Sequence, residues 1–139
     1  MQKIEHIGIA VKDLNISEEI FAKLLGTPPY KREVVESESV ITSFFMNGPN
    51  KIELLMATSQ DSAIHKFVEK KGEGVHHIAF AVEDIISEME RLKNEGFVLI
   101  HEKPKRGADN KWICFLHPKS TNGVLIELCQ EIRDTPDGI

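Results

Sequence analysis

Four side chains of metal-ligand type, His6, Glu53, His77 and Glu127, stand at matching places in the chain. The spacing from His6 to Glu53 is close to that from His77 to Glu127. Each histidine also sits in the same phrase: Glu5-His6-Ile7-Gly8-Ile9-Ala10-Val11-Lys12-Asp13 is echoed by His76-His77-Ile78-Ala79-Phe80-Ala81-Val82-Glu83-Asp84. Two neutral imidazoles and two carboxylates make a mixed nitrogen and oxygen donor set. With open positions left for water or substrate, such a set suits divalent cobalt, manganese, nickel or zinc. An ion with open positions polarises a substrate oxygen and stabilises charge that develops on it. One histidine alone would be an ordinary hydrogen-bonded structural residue; the agreement of four carries the inference.

The echo divides the chain into two copies of one unit, and a repeat takes precedence over any local pattern. Alternation over Ile4–Val11 puts bulky Ile7, Ile9 and Val11 on one face and Ile4, His6, Gly8 and Ala10 on the other. Asp13 then caps a helix in which Ile16, Ile20, Phe21, Leu24 and Leu25 recur, ended by Gly26 and Pro28-Pro29. Strands are expected over 30–36, 40–46 and 51–57, with Gly48-Pro49-Asn50 as the turn between the last two. A connecting helix opens at Asp61 and runs to Gly72. The second copy repeats the order: strand 75–82, helix from Asp84 to Gly96, and strands 97–102, 111–116 and 124–130, with loops over 104–110 and 117–123. The polar tail over 131–139 is expected to fray.

On these strands His77 shares its face with Ala79 and Ala81, while His76 lies with Ile78, Phe80 and Val82, so His77 is the counterpart of His6. Glu53 lies opposite Ile52, Leu54 and Met56, and Glu127 opposite Val124, Ile126 and Leu128. A glutamate in so apolar a run must meet a cation, a metal or water. If the bulky faces pack on helices, the other faces line a cleft whose small residues Gly8, Ala10, Ala79 and Ala81 leave room for a ligand. His65 and His101 are assigned to solvent, and His76 to packing.

The 139 residues are the size of one compact domain, here a module over 2–58, a connecting helix over 61–72 and a module over 74–130. A formal net charge of -5 argues against nucleic acid as partner. Cys114 and Cys129 sit in apolar strand-like runs and read as reduced core residues. The start lacks the basic block and apolar run of a signal peptide, and no apolar run is long enough to span a bilayer, so a cytoplasmic protein is expected.

Paired strand-helix-three-strand units with this ligand set resemble the vicinal oxygen chelate superfamily, and within it the methylmalonyl-CoA epimerase family. The resemblance rests on Glu5–Val11, Ile52-Glu53-Leu54-Leu55, Gly74–Phe80, Phe115-Leu116-His117-Pro118-Lys119-Ser120 and Gly123–Leu128, and covers residues 2 to about 130 in order. It implies an α+β fold of two paired βαβββ modules forming a half-open barrel around a metal bound by His6, Glu53, His77 and Glu127. It implies cobalt first, or manganese, nickel or zinc, as the ion, an acyl-CoA as substrate and a homodimer as the assembly. The reaction it implies is removal of the C2 proton of methylmalonyl-CoA on one side and its return on the other. Glu127 corresponds to one acid-base group; the family's other glutamate falls near Thr42, where no carboxylate stands, leaving Glu53 or a water on the metal for that role. Lys105, Arg106 and Lys119 are candidates for the coenzyme A phosphates. The ligand pattern also fits glyoxalase I, and the fold also fits a metal-free small-molecule binding protein.

Overall fold

The structure, a computed structural model, describes residues 1–133. The expected tail from residue 134 on lies outside the described residues. The chain divides into two compact units, Ile4–Ile78 on one hand and Met1–Lys3 with the chain from Ala79 on the other.

The Ile4–Ile78 unit contains β1 (Lys3–Ala10), α1 (Leu14–Leu25), β2 (Lys31–Val35), β3 (Val40–Asn47), β4 (Asn50–Ala57), α2 (Ala63–Lys71) and the start of β5 (Gly74–Ala81). Its strand order is β2-β3-β4-β1-β5, with β1 and β4 parallel and the β2-β3-β4 meander antiparallel. Asp13 caps α1 by accepting from the Ile16 amide at 3.0 Å, and Gly26 ends it in the left-handed conformation. β3 and β4 meet in a two-residue hairpin whose first turn residue is Gly48 at φ 64°, a conformation that costs glycine nothing.

α1 buries Leu14, Phe21, Ala22 and Leu25 against Ile9, Val11, Phe45, Ile52 and Leu54, the bulky strand face expected to meet a helix. Ile16, Ile20 and Leu24, expected on its inner face, are instead 57–70% exposed. The helix carries two apolar stripes, and the one that packs starts from Leu14 and passes through Ser17. The connecting helix α2 starts at Ser62, whose hydroxyl accepts from the Ile64 amide at 3.1 Å, rather than at Asp61. It does more than connect. Ile64, Phe67 and Val68 pack on Ala10, Val35, Val40 and Leu55, covering one end of the His6 face.

The second unit contains the end of β5, α3 (Ile85–Asn94), β6 (Lys105–Gly107), β7 (Lys111–Leu116) and β8 (Ile126–Glu131), in the order β5-β8-β7-β6. Ile85, Met89 and Leu92 of α3 pack on Cys114, Leu116 and Leu128. Both cysteines are free and buried, and burial pushes the Cys114 thiol up from its ordinary range. The strand expected over 97–102 is not one. Phe97 and Leu99 turn into the α3 core as their alternation foretold, but the backbone forms an isolated bridge to the β7 region rather than a ladder, through Ile100 N to Phe115 O and His117 N to Val98 O, each 2.8 Å. The ladder restarts beyond Pro104, so the edge strand β6 occupies the expected loop. No helix among the described residues is long and apolar enough to cross a membrane.

Candidate metal centre

Parallel pairing of β1 with β4 sets Gly8 opposite Glu53 and His6 opposite Lys51, bringing the first half of the ligand set onto one face. β5 adds His77. His6, Glu53 and His77 are each no more than 5% exposed. The Nδ1 of His6 lies 2.6 Å from Glu5 Oε1 and 3.1 Å from Glu53 Oε2. Both neighbours are acceptors, so Nδ1 carries the proton and the lone pair of a neutral His6 ring is on Nε2. That Nε2 lies 3.0 Å from Nε2 of His77, with the two rings edge to face at 85°. The other nitrogen of His77 is 2.9 Å from Nδ1 of His76, whose ring packs edge-on against Phe67 of α2 at 4.9 Å.

Two ring nitrogens this close repel as lone pairs unless a proton or a cation lies within reach of both. Metal–imidazole bonds are about 2.1 Å long, so two nitrogens 3.0 Å apart are near enough for one ion to bind both. The donor set therefore fits a divalent ion, and His6 and His77 belong to a group of buried side chains able to hold one. Holding each imidazole by its far nitrogen fixes tautomer and ring orientation, as metal-ligating histidines require.

Glu5 is the site residue that sequence reasoning missed. Its position in β1 alternates away from His6, which hid it; the available signal was a carboxylate next to a ligand histidine in an apolar strand. Burial pushes its carboxyl up, but the hydrogen bonds of His6 and Lys51 and the charge of Lys51 outweigh burial and hold it below its ordinary value. Lys51 Nζ meets Glu5 Oε2 at 3.0 Å. His76, assigned to packing, does pack on Phe67 and also holds His77.

The small residues were expected to leave volume for a ligand, and the structure uses them otherwise. A Cβ on Gly8 would stand 2.2 Å from Cε1 of His77, so the missing side chain is the space that the imidazole fills. Ala10 is fully buried under α2, and Ala79 is fully buried against Ile113 and Cys129.

Glu127 belongs to the second unit, where it is 6% exposed on β8 opposite Phe115 of β7, just as Glu53 on β4 lies opposite Phe44 of β3. Both copies thus set a phenylalanine beside the carboxylate. His101, assigned to solvent, instead packs edge-on against Phe115 with centroids 6.1 Å apart, beside the Glu127 position; the two bonds around Ile100 and Val98 bring it there. His65 remains on the outer face of α2, 3.3 Å from Glu69. Of the basic candidates, Lys105 pairs with Ile113 on the Glu127 face of the sheet, whereas Arg106 lies on the other face with its guanidinium 5.3 Å from the Trp112 ring. Lys119 is exposed in a turn capped by His117, whose Nδ1 accepts from the Lys119 amide at 3.1 Å.

A sequence profile of the glyoxalase/bleomycin resistance protein/dioxygenase superfamily matches residues 5–115. The chain belongs to this superfamily. An ethylmalonyl-CoA/methylmalonyl-CoA epimerase of Cereibacter sphaeroides is 40% identical over 92% of this chain and 97% of its own. The mitochondrial methylmalonyl-CoA epimerase of Homo sapiens is 35% identical over 92% of this chain and 73% of its own. A methylmalonyl-CoA epimerase of Streptomyces coelicolor, solved in complex with 2-nitronate-propionyl-CoA, superposes with a TM-score of 0.90 at 36% identity, covering 94% of this chain and 95% of that one. The resemblance to the vicinal oxygen chelate superfamily and its epimerases drawn from the motifs is borne out, and so is the α+β class.

Proposed function

We propose that the chain interconverts (R)- and (S)-methylmalonyl-CoA by moving the proton at C2. The observation that carries the reading is the pair of imidazole nitrogens 3.0 Å apart, each ring held by its far nitrogen, in a chain 40% identical to a named epimerase. In this reading His6, His77, Glu53 and Glu127 hold a divalent ion, cobalt being the one expected. Bound there, the ion would draw the thioester and carboxylate oxygens that flank C2 and lower the cost of negative charge on them.

The chain's own residues do the rest. Glu5 keeps the proton of His6 on Nδ1, so its Nε2 faces the ion as a donor. His76 does the same for His77. Glu127 takes or returns the C2 proton as one acid-base group. Lys105 on the Glu127 face and exposed Lys119 remain the candidates for the anionic coenzyme A portion, with Arg106, whose guanidinium lies over Trp112 on the other face, the weakest of the three. A homodimer in the cytoplasm completes the reading.

The test is solvent exchange in D2O with metal-loaded protein. Deuterium entry at C2 of methylmalonyl-CoA with loss of optical purity, and no turnover of the methylglyoxal-glutathione hemithioacetal, is expected. The opposite pattern would make the chain a glyoxalase I, and full ligand binding with no turnover of either after metal loading would make it a binding protein.

A further inference from the structure

We propose that Glu33 is the second acid-base group, an inference that rests on the epimerase reading above. Inversion needs two groups, because an enolate that regains its proton from the side it left on returns the starting isomer. Glu127 supplies one. Glu5 and Glu53 are poorly placed for the other, since both carboxylates lie at Nδ1 of His6, at 2.6 and 3.1 Å.

Strand register names the remaining carboxylate. Across β1, β4, β3 and β2 the residues on the His6 face fall into rows: Gly8, Glu53, Phe44 and Lys31 form one, and Ala10, Leu55, Thr42 and Glu33 the next. The neighbours of Glu33 along the strand establish that β2 turns its odd-numbered residues to this face. Lys31 Nζ stands 4.9 Å over the Phe44 ring, and Val35 packs with Ala10, Leu55 and Ile64. Glu33 lies between them, its side chain 35% exposed, while Thr42 beside it is 1% exposed.

Within these two rows across β1, β4, β3 and β2, Glu53 and Glu33 are the carboxylates on the His6 face. Two strand spacings, about 10 Å, separate β2 from β4. That gap, less the reach of two glutamate side chains, suits a small acyl group held beside Glu53. Lys31, 3.5 Å from Glu33, steadies its carboxylate at the edge of the sheet.

In one direction the Glu33 carboxylate takes the C2 proton, the C–H electron pair becomes the enolate, and protonated Glu127 delivers its proton to the other face. The two groups end with exchanged protonation, which reverse turnover or exchange with water restores. Glu33→Gln is therefore expected to lower epimerisation by about 100-fold or more while C2 of one isomer still exchanges in D2O with retention, through Glu127. Glu33→Asp should keep part of the epimerisation, and both variants should unfold at the wild-type temperature because the side chain is half-exposed. Epimerisation by Glu33→Gln within threefold of wild type would overturn the proposal. So would equal loss of exchange from both isomers, which would make Glu33 a structural prop. Wild-type protein that neither exchanges nor epimerises would instead remove the epimerase reading itself.

Discussion

Gly8→Ala adds one methyl group, and the structure says where it goes. The new Cβ would lie 2.2, 2.6 and 2.7 Å from Cε1, Nδ1 and Nε2 of His77. Carbon atoms are at ease only at about 3.5 Å from one another, so ring or strand must yield by on the order of 1 Å. The ring has little freedom, since Nε2 is 3.0 Å from His6 and Nδ1 is 2.9 Å from His76. Overpacking of this kind costs about 1–3 kcal/mol of stability, and a displacement of about 1 Å in a reacting constellation costs about 100-fold in rate. Turnover should therefore fall about 100-fold and metal affinity with it, while the thermal midpoint drops by only a few degrees. Steady-state kinetics, metal titration by calorimetry and thermal unfolding on one preparation separate the effects. Gly8→Ala protein with wild-type turnover and metal affinity would refute the claim that the glycine exists to seat the imidazole.

Other perturbations test the site and the frame that carries it. His77→Ala should abolish turnover and metal retention, whereas His76→Ala should weaken metal affinity by only about 10- to 100-fold, because it loses only the support of His77; equal losses would mean that the ligand face was misassigned. Glu5→Gln should weaken metal affinity by about 10- to 100-fold, the usual effect of losing a carboxylate behind a ligand histidine, measurable by competition with a chelator. Removal of metal by chelation should silence the protein and cobalt or manganese restore it; full activity in thoroughly metal-free protein would exclude the mechanism. The hydrogen bond and charge of Arg32 hold the Glu18 carboxyl below its ordinary 4.5. Its contribution is thus complete above that value and lost as pH falls through the depressed one. Unfolding curves of wild type and Glu18→Gln should differ near neutrality and converge in acid; a constant gap would contradict the ion pair's role in tying α1 to β2.

Much of the site was legible because a duplicated strand repeats its chemistry at fixed phase. Period-two alternation told His77 from His76 and placed Glu53 and Glu127 opposite the bulky residues, and His77, Glu53 and Glu127 are all buried. Caps and turns were equally readable at Asp13, Gly26 and Gly48, where one residue's backbone preference decides. α1 was harder, because Leu14 and Ile16 each begin an apolar stripe and composition does not say which is inward. The edge strand was misplaced for a related reason: Phe97 and Leu99 alternate as a strand does, but a strand is completed by its neighbour's hydrogen bonds, and β7 offers a continuous ladder only from Lys105.

The amino-acid order by itself disclosed the duplication, the four candidate ligands and the strand face proposed for each, since all three follow from residue identity and local periodicity. Only tertiary structure decided that Glu5 and His76 orient the two rings, that His77 fills the hollow over Gly8, and that Glu33 shares a face with Glu53. Those relations join residues from separate strands, and register between strands is set by packing across the sheet rather than by anything along one segment.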